Sequence, residues 1–361
     1  MKIKNKLSEY GNIFPGDLKN FCLKIMSLEG MNQHDAEITA EVLVTTDMMG
    51  IHTHGVKQLR GLMKNYRDNR MDIHARPLIV SEGPAWVQYD GCHCMPMVSS
   101  VSAINKIIQK AKSSGIAIAT IKNSGHFGAA GYYANLAAKE KLIGLSMTNV
   151  DPAVAVTGSK ASVLGTNPIA YAIPNGSNRP ILFDAATSVV AASKVYMLKN
   201  LGKEIPPGWL LDKDGIATTD PSKYPDEGTL MPMAGYKGYG LGLLVEILTG
   251  SLSGGAMGSE LTCWLLPSAV QVNQSHTFMV INPEVFSPYN EFIRKIKRLE
   301  DQIRNAPRAK DVERIYLPGE KEWEYYEDTL KHGISLPDHM TSSIFGVADD
   351  YGITIEEYFG K

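Results

Sequence analysis

The stretch from Ile143 to Asp184, IGLSMTNVDPAVAVTGSKASVLGTNPIAYAIPNGSNRPILFD, decides the fold. It opens with a strand, Ile143 to Asn149, and continues into strand-like runs at Pro168 to Pro174 and Ile181 to Asp184, with no helical periodicity between them. Parallel neighbours would each need a crossover helix. The chain is therefore read as α/β, with a mixed, largely antiparallel sheet of non-Rossmann topology and a helical region formed by both chain ends.

The flanks extend this reading. Upstream, Val80-Ser81-Glu82-Gly83-Pro84 is expected to form a turn, Trp86 to Tyr89 a short strand and Gly115 to Ile121 (GIAIATI) a buried strand. Helices are expected from about Val98 to Ser113 and Gly131 to Lys141. Downstream, a helix is expected at Val189 to Asn200 and a strand at His276 to Ile281. Gly240 to Gly250 (GLGLLVEILTG) is apolar almost all round and predicts a deeply buried helix. Tyr289 to Asn305 reads as a charged helix with Phe292, Ile296, Leu299 and Ile303 on one face.

At the start, Leu18, Phe21, Cys22, Ile25 and Met26 mark an amphipathic helix ended by Gly30, and Asn32 caps a second helix running to about Gly50. The C-terminal pieces are expected to pack back on this hairpin. The division this implies is a helical region of residues 1–76 plus 289–361, and a nucleotide-binding and central domain of residues 77–288.

Composition narrows the function. The 361 residues carry a formal net charge of −2, with no basic footprint for nucleic acid. No apolar run reaches the roughly 20 residues of a membrane span, and MKIKNKLSEYGNIFP has no apolar segment behind its charged start. A cytoplasmic protein is expected. Four scattered cysteines exclude a disulfide scaffold; Cys92-His93-Cys94 groups possible metal ligands, but no second cluster completes a zinc site, and the ordinary reading is an extended segment after Tyr89-Asp90-Gly91.

Five segments carry candidate chemistry. Gly50-Ile51-His52-Thr53-His54-Gly55 offers two histidines that could ligate a metal, move a proton, or interact with a helix C-terminus. Lys122 to Gly131 (KNSGHFGAAG) is a glycine-rich turn between a buried strand and a helix, where α/β proteins place ligand-handling groups, and His126 lies in it. Asp151 follows a strand and could orient a histidine, while Thr166 and Asn167 open the next strand. In Phe183-Asp184-Ala185-Ala186-Thr187-Ser188, Thr187 or Ser188 is placed to cap a helix whose free N–H groups could receive a pyrophosphate. In Gly235-Tyr236-Lys237-Gly238-Tyr239-Gly240, a lysine opposes the dipole of the following helix unless it meets an anion. That segment is not the GxGxxG fingerprint, so a Rossmann reading fails.

Taken in order, GIHTHGV, NSGHFGAAGYYANLA, GTNPIAYAIP, FDAATSVVAASKV, GWLLDKDGIATTDP and GYKGYGLGLLVEILTGSLSG resemble the type 2 malate/L-lactate dehydrogenase family, with its ureidoglycolate, sulfolactate and 2,3-diketogulonate dehydrogenases and reductases. The resemblance implies NAD or NADP as cofactor, with NAD favoured, a small-molecule 2-oxo or 2-hydroxy acid substrate, and a homodimer. It implies His126 as acid/base with His54 beside the substrate and Asp151 at the substrate end, orienting the imidazole and raising its pKa. Cofactor contacts would fall to Asp184, Ala185, Ala186, Lys237, Gly319, Glu320 and Lys321. Thr53 and Gln58 stand where the family commonly has Ser and an Arg that clamps the substrate carboxylate, and Leu62 replaces a Tyr. Arg60 is the nearby substitute. Two rivals stand beside this reading: a metal-dependent hydrolase built on His52, His54 and His126, and a degenerate member that binds nucleotide without turnover.

Overall fold

The computed structural model describes residues 6–266 and 268–359, so the charged start Met1 to Asn5 lies outside the described residues. Helix α1 (Pro15–Leu28) starts on proline and buries Leu18, Phe21, Cys22, Ile25 and Met26. A turn through Gly30, at φ 77°, leads to α2 (Gln33–Met48), capped by the Asn32 side chain accepting from the Asp35 amide. The chain continues through α3 (Leu59–Arg67), β1 (Leu78–Gly83), β2 (Trp86–Asp90), α4 (Pro96–Ser114), β3 (Ile116–Ser124), α5 (Ala130–Lys139) and β4 (Ile143–Thr148). Then come β5 (Val154–Ala155), β6 (Ser162–Leu164), β7 (Ile169–Ile173), β8 (Ile181–Ala185), α6 (Ala192–Asn200), β9 (Leu210–Asp212), β10 (Ala217–Thr218) and β11 (Gly228–Leu230). The remaining elements are α7 (Tyr236–Glu246), β12 (Gln274–Ile281), α8 (Tyr289–Arg304), α9 (Glu320–His332) and α10 (Thr341–Asp350).

Seven strands form the main sheet in the order β1-β2-β3-β12-β4-β7-β8. Only β2 and β3 are parallel; every other neighbour pair is antiparallel, as the helix-free run from β4 to β8 requires. Strand β12 returns from far along the chain to lie between β3 and β4, opposing Phe278 to Ala119 on one side and Ser146 on the other. The sheet thus joins the strand before His126 to the strand before Asp151 through a common neighbour.

A second sheet, in the order β10-β9-β11-β5-β6, encloses its own small core of Val154, Val190, Val195, Ile205, Leu210, Tyr224 and Leu230. Its strands are two or three residues long, too short to show an alternating pattern. Both chain ends meet in a helical layer. Ile13 and Ile334 exchange backbone hydrogen bonds, and Phe21 packs its ring against Tyr358 and Phe359.

Two expectations require correction. Residues 80–83 belong to strand β1, paired with β2, and the turn falls after Gly83. Helix α7 and the π-helical turn Ile247–Ser251 that follows it are not deeply buried, since Leu241, Leu243, Leu244 and Ile247 are 38–48% exposed. Hydropathy alone does not distinguish a helix inside a core from one with an apolar face left open. Helix α8 forms over Tyr289–Arg304 as expected, with none of its side chains buried and Leu299 half exposed. No helix among the described residues is long and apolar enough to cross a membrane.

Candidate active site

The site is built from the loop that follows β3. Buried His276 on β12 meets Thr148 Oγ1 through Nδ1 at 2.8 Å and Ser124 Oγ through Nε2 at 2.9 Å, tying the ends of β4 and β3 together. Phe127 stacks on the same imidazole at 4.3 Å and 9°, and its carbonyl accepts from the Tyr133 hydroxyl. With Phe127 fixed in the core, the preceding side chain points the other way. His126 is stacked between Trp264, at 4.4 Å and 23°, and His54, at 5.4 Å and 29°.

Burial holds the His126 imidazole well below its ordinary pKa, and the neighbouring His54 and His276 add to that. The Gly128 N–H lies 3.4 Å from its Nδ1, too long a contact to fix the tautomer. Nε2 has no protein partner among the described residues.

The turn after α2 separates the two sequence-neighbour histidines. Asp47 is wholly buried; it accepts from His52 Nδ1 at 2.8 Å and from the Val56 amide at 2.7 Å. Burial pushes its carboxyl up in pKa, against the opposing pull of His52. A Cβ at position 55 would lie 2.3 Å from that carboxylate, so glycine is required there. His52 also reaches Tyr325 through Nε2, which gives it a structural role. His54 is free of this knot. Its Nδ1 meets Thr53 Oγ1 at 2.8 Å, and burial followed by the charge of Lys57 brings its pKa down to about 4.

Trp264 was not singled out by the sequence reading, and no motif marks it. Its loop is gripped by Arg70, a buried guanidinium that donates to the carbonyls of Cys263 (2.7 Å), Leu266 (2.9 Å) and Val270 (3.0 Å). Asn65 donates to the Trp264 carbonyl at 3.0 Å, and the absence of a side chain at Gly61 leaves room for the indole. The same loop claims Asp151. Its carboxylate is bonded to the Cys263 thiol, and burial raises its pKa. No hydrogen bond joins Asp151 to His126 among the described residues. The expected orienting role, and the expected rise in the His126 pKa, are therefore not met in this arrangement.

Two cavities open near the histidine pair: Thr53 and Trp264, which contact His54 and His126, line one, and Ile51 and Ala129 line the other, while neither histidine is itself in either wall. The larger is lined by Thr53, Lys57, Gln58, Arg60 and Trp264, and by Tyr196 and Met197 of α6 across the opening. The Gln58 amide donates back to the Thr53 carbonyl. Arg60 is committed elsewhere: its guanidinium makes two bonds to Asp350 of α10, at 2.9 and 3.1 Å. One helical step away from position 58, it faces the C-terminal helix, which corrects the expectation that it serves the substrate.

The second cavity, about 420 Å³, is lined by Thr45, Met49, Ile51, Tyr132, Leu182, Asp184, Gly319, Lys321 and Glu322. Asp184 accepts from the Gly131 amide at 2.6 Å, and burial pushes its carboxyl up to about 6. Glu320 is turned away into bonds with the Leu317 amide, Arg304 and Arg314. Ala185 ends β8 opposite Ile169 and Ala186 follows it; neither lines the cavity, and Lys237 is exposed at the start of α7. The expected cap also fails: α6 begins after Ala191 with no side-chain cap, while Thr187 donates to the Thr166 carbonyl and Ser188 to that of Val190.

No group of three or more potential metal ligands is assembled among the described residues. The trio of the hydrolase reading is broken up because His52 is bonded to Asp47 and Tyr325. Cys92 and His93 form a left-handed turn, with φ of 50° and 53°, rather than an extended segment, and His93 bonds the Val272 carbonyl.

The sequence profile described as malate/L-lactate dehydrogenase matches residues 14–344. The chain is 36% identical over 351 residues to a malate dehydrogenase of Pyrococcus abyssi, covering 95% of this chain and 96% of the relative. It is 30% identical over 313 residues to a Δ1-pyrroline-2-carboxylate/Δ1-piperideine-2-carboxylate reductase of Pseudomonas syringae pv. tomato, covering 87% and 89%. Its fold is similar to the solved structure of a sulfolactate dehydrogenase from Methanocaldococcus jannaschii, with a TM-score of 0.88 and 33% identity over 96% of this chain and 99% of that one.

Proposed function

The chain belongs to the malate/L-lactate dehydrogenase family, and on that footing we propose that it is an NAD(P)-dependent oxidoreductase moving a hydride between the nicotinamide and the carbonyl carbon of a small 2-oxo acid or a related C=N compound. The observation that carries this reading is the His54–His126–Trp264 stack, whose Trp264 lines the larger cavity and whose neighbours Ile51 and Ala129 line the smaller. The nicotinamide supplies or removes the hydride. His126 Nε2 handles the proton. In reduction the imidazolium delivers it to the substrate oxygen as the carbon is reduced, and in oxidation the neutral ring takes it back. Because burial keeps this ring neutral in the free protein, reduction should be favoured by lower pH. His54, held by Thr53, hydrogen-bonds the substrate oxygen and keeps water from one face of His126.

The smaller cavity suits a nucleoside. Its walls are largely apolar, and Asp184 presents a carboxylate able to accept from ribose hydroxyls. Lys321, at the first turn of α9, is placed to meet phosphate charge. Asp184 and Glu322 face the cavity against one lysine, an acidic lining that favours free ribose hydroxyls over a 2′-phosphate and hence NAD. Ala185, Ala186, Lys237 and Glu320 rest on the family resemblance for any cofactor role, as does Asp151 at the substrate end.

The open apolar side of α7 supports a homodimer in which a second copy covers Leu243, Leu244 and Ile247. Cytoplasmic residence is supported by four free cysteines. The test is absorbance at 340 nm with NADH and, separately, NADPH against a panel of 2-oxo acids and cyclic imino acids. Turnover with NADH is expected. Cofactor binding without turnover on any compound would favour the degenerate reading, and failure to bind either cofactor would overturn the proposal.

A further inference from the structure

The substrate cavity is lined by five cations, and four are accounted for. Arg60 is paired with Asp350, Lys64 with Asp68 and Arg67 with Glu29, while Lys194 is exposed to solvent on α6. Lys57 differs. It is half-buried and has no ion pair or hydrogen bond among the described residues, and no carboxylate acts on its charge. Of the carboxylates lining the cavity, Asp68 and Asp350 belong to the pairs above, and Asp338 accepts from the Ser8 amide.

The position of Lys57 is equally specific. It sits in the short helical turn Val56–Gln58, three residues after His54, and its charge is felt by His54 on one side and by His339 on the other. Burial lowers its own pKa. Its neighbour Gln58 folds back onto the Thr53 carbonyl and brings no charge to the cavity. An ammonium partly withdrawn from water beside two neutral histidines is unfavourable until an anion joins it.

We propose that Lys57 Nζ is the group that binds the substrate carboxylate, setting the neighbouring carbonyl beside the ring edges of His54 and His126. The assignment rests on the oxidoreductase reading above and gives this chain a lysine anchor one position before the glutamine. A lysine is a compact point charge on a flexible stem, without the planar fork that grips a carboxylate at two points. The site should therefore tolerate variation in the acid group, sulfonate included, better than a bidentate clamp would.

The experiment is Lys57→Met, Lys57→Arg and Arg60→Ala, each measured in two ways. Steady-state kinetics with NADH and the best 2-oxo acid of the panel should give a KM about 10- to 100-fold higher in Lys57→Met, the loss of one charge-assisted hydrogen bond. In that variant kcat should fall much less, and Lys57→Arg should restore most of the KM. Oxamate titrated into the NADH complex and followed by tryptophan fluorescence should bind wild type and lose affinity in Lys57→Met by a similar factor, with NADH affinity unchanged. A Lys57→Met KM within about threefold of wild type, or a rise in KM that follows Arg60→Ala instead, overturns the assignment. The oxamate titration needs no turnover. If wild type turns over nothing, the oxidoreductase reading has failed, and loss of oxamate binding in Lys57→Met still supports the anion anchor; unchanged binding refutes it.

Discussion

Replacing His276 by glutamine should make the protein less stable at neutral pH and, at the same time, less sensitive to acid. The Thr148 hydroxyl donates to the Asn149 and Ser275 carbonyls and so accepts from His276 Nδ1–H, which leaves Nε2 to accept from Ser124. That neutral tautomer satisfies every group in a fully buried site, and burial brings the pKa down to about 3. The unfolded chain would protonate near about 6.5. A base whose folded pKa is depressed contributes stability that is complete above the unfolded value and drains away as pH falls toward the folded one. Between pH 7 and 5 this histidine alone should remove about 2 kcal/mol. Glutamine cannot titrate, but it gives up the stacking on Phe127 and makes poorer bonds to Ser124 and Thr148, costing about 2–4 kcal/mol at pH 7. Urea unfolding of both proteins at pH 7 and pH 5 separates the two effects. Wild type should lose about 2 kcal/mol more than the variant over that interval. Equal losses would refute the claim that His276 is held neutral in the fold.

Two further outcomes follow from the turn and the loop around the histidines. Asp47→Ala leaves the Val56 amide and His52 without their buried acceptor and should destabilise the protein by about 3–5 kcal/mol in urea unfolding; a loss below about 1 kcal/mol would mean the turn is held by something else. Trp264→Leu opens one face of His126 to water, and since burial is the main cause of its lowered pKa, the low-pH limb of kcat/KM for alcohol oxidation should move to higher pH. An unmoved limb would show that Trp264 does not control the protonation of His126.

The main sheet was legible because β3, β4, β7, β8 and β12 are long enough to show β-branched and alternating patterns, and the missing helices between β4 and β8 rule out a parallel arrangement. The second sheet was not, since strands such as Val154–Ala155 have no period to read. The burial of α7 was misjudged because Leu243 and Ile247 are as apolar on an open face as they would be inside a core. At the site, His126 was marked by its glycine-rich turn. Spacing alone does not separate His52 from His54; the family resemblance singles out His54, and the fold supplies the reason, since buried Asp47, upstream on α2, takes His52. Trp264 and Cys263 lie more than a hundred residues from His126 and Asp151, and local spacing says nothing of such meetings. The role of Lys57 shows only by elimination, once Arg60 is seen bonded to Asp350.

The account depends most on His126 as the proton-handling group of a nicotinamide-dependent reaction, and the direct measurement is the turnover of His126→Asn beside wild type at saturating NADH and substrate. The proposed chemistry predicts that kcat falls by about 10²-fold or more while NADH affinity, followed by fluorescence, stays close to wild type. Near-normal turnover in the variant would contradict it.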